Sequence, residues 1–102
     1  MSPTKTARLP ADAILVGLWA DRLTIETQTA VLPDTQVAFT LMLEGNPLVL
    51  DVRTGPCQVV AKTRRGLVFN VQVGLDQVSR PNQQLIALFI SKGRGSAQIV
   101  VK

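Results

Sequence analysis

Histidine is absent from this chain of 102 residues, and cysteine occurs once, as Cys57. A chain without histidine cannot build the common zinc sites or imidazole-based acid–base catalysis, and one cysteine cannot form an internal disulfide. The seven carboxylates are scattered along the sequence, so no close acid pair points to general acid–base chemistry. We therefore expect a non-enzymatic protein of a reducing, cytoplasmic setting, with no cofactor and no metal site, and Cys57 as a small residue in or near the core.

Aromatic residues and long apolar runs are also scarce. The aromatic residues make up 4% of the chain, and the three phenylalanines fall on apolar faces of the predicted elements. Little is left to stack on bases, which disfavours a nucleic-acid partner. Charged residues interrupt every apolar run before it reaches the roughly 18 residues of a membrane span. Residues 1–10 lack the apolar centre of a signal peptide, so no membrane insertion is expected.

The composition predicts one folded domain. Hydrophobic residues make up 46% of the chain and charged residues 18%, which is typical of a globular protein. The net charge of +4 comes largely from cations in the terminal segments. Basic tails can hold a phosphate-bearing partner, but they also merely keep small proteins in solution.

Between residues 13 and 73 the apolar residues recur mostly at every second position, which predicts short β-strands. The alternation is cleanest over residues 36–43. Residues 48–62 exceed an ordinary strand and contain Thr54-Gly55-Pro56, so we predict two segments joined by a bulge or corner. Turns are predicted at residues 44–47 and 62–66. The predicted strands lie at residues 13–18, 22–27, 36–43, 48–62 and 67–73.

The hydrophobic period changes after residue 79, where an apolar stripe over residues 85–90 predicts a helix. Ser79 is a plausible N-cap, Pro81 fits the first turn and Gly93 a stop. We predict an all-β fold, a small six-stranded antiparallel barrel whose open end one C-terminal α-helix covers. Residues 1–12 would be a flexible N-terminal segment, residues 13–91 the barrel with its helix, and residues 92–102 a basic tail or an extra strand.

Three segments carry a resemblance to a known family: residues 23–27, residues 32–37, and residues 75–90 with Leu75-Asp76, Ser79 and the helix. They resemble the second strand, the "leucine-proline-x-glycine-threonine" loop, and the closing strand and helix of the PilZ domain. That bacterial barrel commonly binds cyclic di-GMP. The resemblance implies a PilZ-like β-barrel and a regulatory role in a bacterial second-messenger, motility or surface pathway.

The family's ligand motifs are altered in this chain. Family members that bind cyclic di-GMP carry an Arg-x-x-x-Arg pair before the first strand, whose guanidinium groups fork onto phosphates and stack on guanine. Here that segment offers only Lys5 and Arg8, with Asp12 where a second arginine would fall.

The family's Asp/Asn-x-Ser-x-x-Gly turn is altered as well. Alignment through Leu23 places Gly17, Trp19 and Arg22 at its three key positions. Trp19 has no hydroxyl group to donate a hydrogen bond as the serine does. Arg22 is bulky at the position of the glycine, where the backbone of PilZ domains approaches the ligand closely. We therefore expect a PilZ-like fold that does not bind cyclic di-GMP in the usual mode.

Three functions stay open at this point. The first is a regulatory adaptor that docks to a partner protein, with Trp19 and Met42 as candidate interface residues. The second is an atypical cyclic di-GMP receptor, in which Lys5, Arg8 and Arg22 hold phosphates and Trp19 stacks on a base. The third is a small nucleic-acid-binding barrel that uses Arg64, Arg65 and the basic tails. Arg64 and Arg65 equally suit a solvated turn that protects the strands from aggregation. Trp19 is either a hydrophobic plug on the barrel rim or an interface anchor.

Overall fold

Alternating strands build one curled sheet, a half-barrel against which a single helix packs. The computed structural model describes residues 7–93 and 96–101. Within those residues the elements are β1 (Ala7–Arg8), β2 (Ile14–Leu18), β3 (Arg22–Thr27), β4 (Gln36–Leu43), β5 (Asn46–Thr63), β6 (Gly66–Gly74), α1 (Arg80–Lys92) and β7 (Ala97–Val100).

The strand order across the sheet is β1-β4-β5-β6-β3-β2, and β7 also pairs with β4. The prediction of six antiparallel strands is wrong in two respects, because the described residues form seven strands and β1 runs parallel to β4. A strand of two residues is too short to show alternation, so β1 left no signal in the sequence. A strand forms within residues 92–102, because β7 pairs antiparallel with β4.

The core lies on the inner face of the curled sheet. The prediction for β4 is confirmed, because its alternate apolar residues are buried and the residues between them are half-buried. β3 contributes Leu23 and Ile25, and β6 contributes Val71 and Val73 from the neighbouring strand. The buried residues of β4 are Val37, Phe39, Leu41 and Leu43.

The long strand β5 changes partner midway. It pairs with β4 as far as Arg53 and with β6 from Thr54 onward, and its register shifts between Thr54 and Cys57. The predicted bulge is therefore confirmed, although the two segments belong to one continuous strand. Gly55 lies within it because a Cβ there would come within 2.9 Å of the backbone oxygen of Gln72.

The β4–β5 turn is tighter than predicted. Glu44 and Gly45 form a two-residue turn with φ of 51° and 83°, the left-handed conformation that a tight hairpin requires. Asn46 and Pro47 already belong to β5 and pair with residues of β4.

α1 closes one side of the fold. Its ends are as predicted, with proline in the first turn and Gly93 in the left-handed conformation that ends it. Ile86 is buried, and Phe89 and Ile90 pack against the core. Ser79 occupies the N-cap position but makes no side-chain capping hydrogen bond. At 13 residues, α1 is too short to cross a bilayer, and no other helix occurs in residues 7–93 and 96–101.

Candidate functional site

Trp19 and Arg22 form a compact corner at the turn between β2 and β3. The Trp19 backbone N–H donates to the Arg22 carbonyl oxygen at 2.8 Å and closes the turn. The Arg22 guanidinium carbon lies 4.8 Å from the centre of the Trp19 ring, which is within the range of a cation–π contact. The indole also lies against Gly17, where a Cβ would come within 2.6 Å of the ring. Trp19 remains 44% exposed, so it covers the corner without being buried.

Arg8, a further residue of the predicted nucleotide site, does not join this corner. Arg8 lies on β1, paired with Ala38 at the other end of the strand order from the β2–β3 hairpin. The two grooves beside Arg8 are lined by neither Trp19 nor Arg22. Lys5 lies outside the described residues. Of the three predicted ligand residues that the structure describes, Trp19 and Arg22 are therefore brought together and Arg8 is not.

Asp12 links two segments of the chain through its side chain. Its carboxylate accepts hydrogen bonds from the Thr27 hydroxyl at 3.0 Å and from the Gln28 backbone N–H at 2.6 Å. These bonds fix the segment before β2 to the end of β3. Nothing in the local sequence signals them, because Asp12 and Thr27 are brought together only by the pairing of β2 with β3.

Met42 lies apart from Trp19. It is on the outer face of β4, flanked by Pro47 of β5 and Gln98 of β7, and it is half-buried. The two interface residues predicted from the sequence therefore lie on different hairpins, Trp19 at the β2–β3 turn and Met42 on β4.

An apolar groove that the sequence did not reveal runs between α1 and the β4–β5 hairpin. We call it the α1–hairpin groove. Its volume is about 410 Å³. Leu85 and Leu88, one helical turn apart, are 48% and 54% exposed, whereas Leu43 and Leu48 beside them are buried. The groove is lined by Leu43, Glu44, Asn46, Pro47, Leu48, Leu85, Leu88, Phe89 and Lys92.

The exposed leucines of this groove follow from the width of the helix's apolar surface. Residues 85–90 are all apolar and so surround most of the helix circumference. A helix that lies on a sheet buries only one face, here the face of Ile86. Leu85 and Leu88 therefore remain outside the contact with the sheet, where they adjoin Pro47 and Leu48 of the hairpin. The sequence signal for this groove is therefore the run of apolar residues 85–90, which gives the helix more apolar surface than one sheet can bury.

A second exposed surface is the far end of the β5–β6 hairpin. The last residue of β3, Thr27, pairs with Phe69, and residues 60–68 continue beyond that pair. Lys62, Arg64 and Arg65 lie at its tip, where Arg64 and Arg65 form the turn. The turn predicted at residues 62–66 is thus confirmed and is shorter than expected.

Comparison with known proteins finds no matching family model, no similar curated protein and no similar solved structure. The functional assignment therefore depends on the Trp19–Arg22 corner, the α1–hairpin groove and the tip of the β5–β6 hairpin.

Proposed function

We propose that this domain is a non-enzymatic, PilZ-like regulatory adaptor that acts by protein–protein contact in a bacterial second-messenger, motility or surface pathway. The observation that carries the proposal is the α1–hairpin groove. Leu85 and Leu88 expose about half of their surfaces beside the buried Leu43 and Leu48. Contiguous exposed apolar surface on a small domain is typical of an interaction site.

The chemistry of the groove favours a protein segment as its occupant. Aliphatic and aromatic side chains line it, and Glu44 and Lys92 contribute one charge of each sign. An apolar interior with charged residues at its margin is the usual anatomy of a protein interface. The partner we propose is an amphipathic segment that places aliphatic side chains between α1 and the hairpin, as in helix-in-groove recognition. Trp19 is a second contact point on a different hairpin.

The geometry of the Trp19–Arg22 corner argues against cyclic di-GMP binding in the mode usual for PilZ domains. Arg22 already contacts the indole ring of its own chain, and Arg8 lines grooves elsewhere. A nucleotide at this corner would have to replace the contact between Arg22 and Trp19 and would lack the arginine pair that the family uses. Protein contact is therefore the better-supported function, and the atypical receptor is the alternative that a direct titration tests.

Site-specific photo-crosslinking tests the adaptor function. A photoreactive amino acid is introduced at position 88 in the groove and, as a matched control, at position 32, where Leu32 is 76% exposed and does not line the groove. We expect a discrete protein adduct from position 88 and none from position 32. The same adducts from both positions, or none from position 88, would contradict the proposal.

The crosslinked partner is then purified and titrated with the domain. Leu88→Asp should weaken binding at least tenfold, because it places a charge in an apolar contact. Leu32→Asp should leave the affinity unchanged. Circular dichroism of both variants verifies the fold, which neither exposed position should disturb.

A further inference from the structure

The β5–β6 hairpin extends past the paired part of the sheet as a two-stranded arm, residues 60–68. Beyond the pair of Thr27 with Phe69, β6 no longer pairs with β3, and β5 and β6 pair only with each other. Every residue from 58 to 67 is exposed. A two-stranded ribbon has no core of its own, so the apolar side chains of the arm remain in contact with solvent.

The apolar inner face of the sheet continues into the arm, where its side chains are not buried by another element. On β6, Val73 and Val71 are fully buried, Phe69 is half-buried, and Leu67 at the next position of the same face is exposed. Val59 lies opposite Phe69 and is 55% exposed. Because side chains alternate along a strand, these residues form one continuous apolar strip that runs from the core into solvent.

The charge of the arm has one sign. No acidic residue occurs between Asp51 and Asp76, and Lys62, Arg64 and Arg65 lie at the tip. Lys62 pairs with Leu67 and so lies on the face that carries the apolar strip. Within residues 7–93 and 96–101, none of these three cations forms an ion pair.

The two cations best placed to meet a ligand are Lys62 and Arg64. Arg65 shares a shallow groove with Asp12 and Glu26. These carboxylates reduce the positive potential around Arg65, although neither lies within ion-pair distance of it.

We propose that the arm docks on an anionic lipid bilayer surface, a function beyond the adaptor role proposed for the α1–hairpin groove. Cations attract the arm to the negative surface, and aliphatic side chains next to them gain from partial burial at the interface. Lys62 and Arg64 would contact lipid phosphates, while Val59, Val60 and Leu67 enter the boundary between headgroups and acyl chains. The contact is with the surface of the bilayer and needs no membrane-spanning segment.

Other occupants fit the arm less well. A second copy packed on the same face would bring two sets of tip cations together, with no acidic residue on either arm to compensate. Pairing through the free edge of β5 is opposed by Pro56, by the register shift between Val59 and Ala61, and by Lys62. Nucleic acid would find no exposed aromatic ring on the arm, and exposed valines gain little in a hydrated groove.

Vesicle co-sedimentation of the whole chain tests the proposal. Vesicles of phosphatidylglycerol and phosphatidylcholine at 3:7 are compared with vesicles of phosphatidylcholine alone. We expect binding only to the anionic vesicles, weakened by added salt. Lys62→Gln with Arg64→Gln should lower the partition coefficient about thirtyfold, since each cation near an anionic surface contributes about 1 kcal/mol.

Matched variants separate the arm from net charge and from general hydrophobicity. Arg8→Gln with Arg80→Gln removes the same charge elsewhere and should lower the partition coefficient much less. Val60→Asn on the arm should weaken binding, whereas Leu32→Asn should not. Equal losses in the two charge variants, or equal binding to neutral vesicles, would overturn the proposal. Retention on a DNA duplex without binding to anionic vesicles would overturn it in favour of a nucleic-acid surface, and dimerisation through the arm in favour of a second copy.

Discussion

The guanidinium carbon of Arg22 lies 4.8 Å from the centre of the Trp19 ring, so the cation at the β2–β3 turn faces an indole of its own chain. The two residues are also linked by the backbone hydrogen bond that closes the turn. An exposed cation–π contact contributes about 0.5–1 kcal/mol, which is enough to give the corner a preferred arrangement. A ligand that needed either side chain would first have to displace this contact.

Gly17 is the residue that makes room for this arrangement. Gly17→Ala places a Cβ within 2.6 Å of the indole, so we expect the ring to move away and the contact with Arg22 to be lost. Quenching of the fluorescence of Trp19, the only tryptophan, by acrylamide should increase. The free energy of unfolding should fall by about 1 kcal/mol.

A double-mutant cycle checks the cause of that loss. In the background Trp19→Ala, the change Gly17→Ala should cost clearly less, because the clash with the ring is gone. Unfolding is followed by circular dichroism, since the fluorophore is absent from that background. An equal cost in both backgrounds would show that Gly17 acts through the β2 backbone and not through Trp19.

Thr54 ties the loop before β4 to β5. Its buried hydroxyl donates to the Leu32 carbonyl at 2.7 Å and accepts from the Thr35 backbone N–H at 3.0 Å. Thr54→Val keeps the shape but leaves both partners unpaired, which should lower the free energy of unfolding by about 1–3 kcal/mol. Urea denaturation measures the change. Thr29→Val, at an exposed position, is the control and should change stability by less than about 0.5 kcal/mol.

The start of α1 is held by Gln83 and not by its N-cap residue. The Gln83 side-chain amide donates to the Leu75 carbonyl at 2.8 Å and to the Val78 carbonyl at 2.9 Å, whereas the Ser79 side chain makes no capping bond. Gln83→Leu should therefore destabilise the fold by about 1–3 kcal/mol. Ser79→Ala should cost less than the ~1 kcal/mol typical of a working N-cap. Thermal unfolding that ranked the two variants in the opposite order would contradict this assignment.

The alternation of apolar and polar residues predicted most strands of this fold, because each strand buries only one of its two faces. Gln36–Leu43 has the predicted boundaries, and Gly93 ends the helix as expected. Alternation along β6 puts Leu67 and Phe69 on the same face as the buried Val71 and Val73, but Leu67 is exposed and Phe69 is only half-buried. Alternation identifies the face of a strand but cannot show where the neighbouring strand ends, and β3 ends at Thr27.

The candidate sites were harder to predict, because they depend on contacts between distant segments. The sequence identified Trp19 and Arg22, which are close neighbours across a turn. It did not reveal the α1–hairpin groove, since Leu48 and Leu88 meet only through the packing of α1 on the sheet. Met42 is predicted as an apolar rim residue at an interface, and its flanking strands leave it half-buried.

The central proposal is that this domain acts by protein contact and does not bind cyclic di-GMP as PilZ domains commonly do, and calorimetric titration with cyclic di-GMP tests it most directly. The account predicts no saturable heat up to about 300 μM ligand, which corresponds to an affinity no tighter than about −5 kcal/mol. Saturable binding that Arg22→Ala abolishes would contradict it, and would make the Trp19–Arg22 corner an atypical nucleotide site.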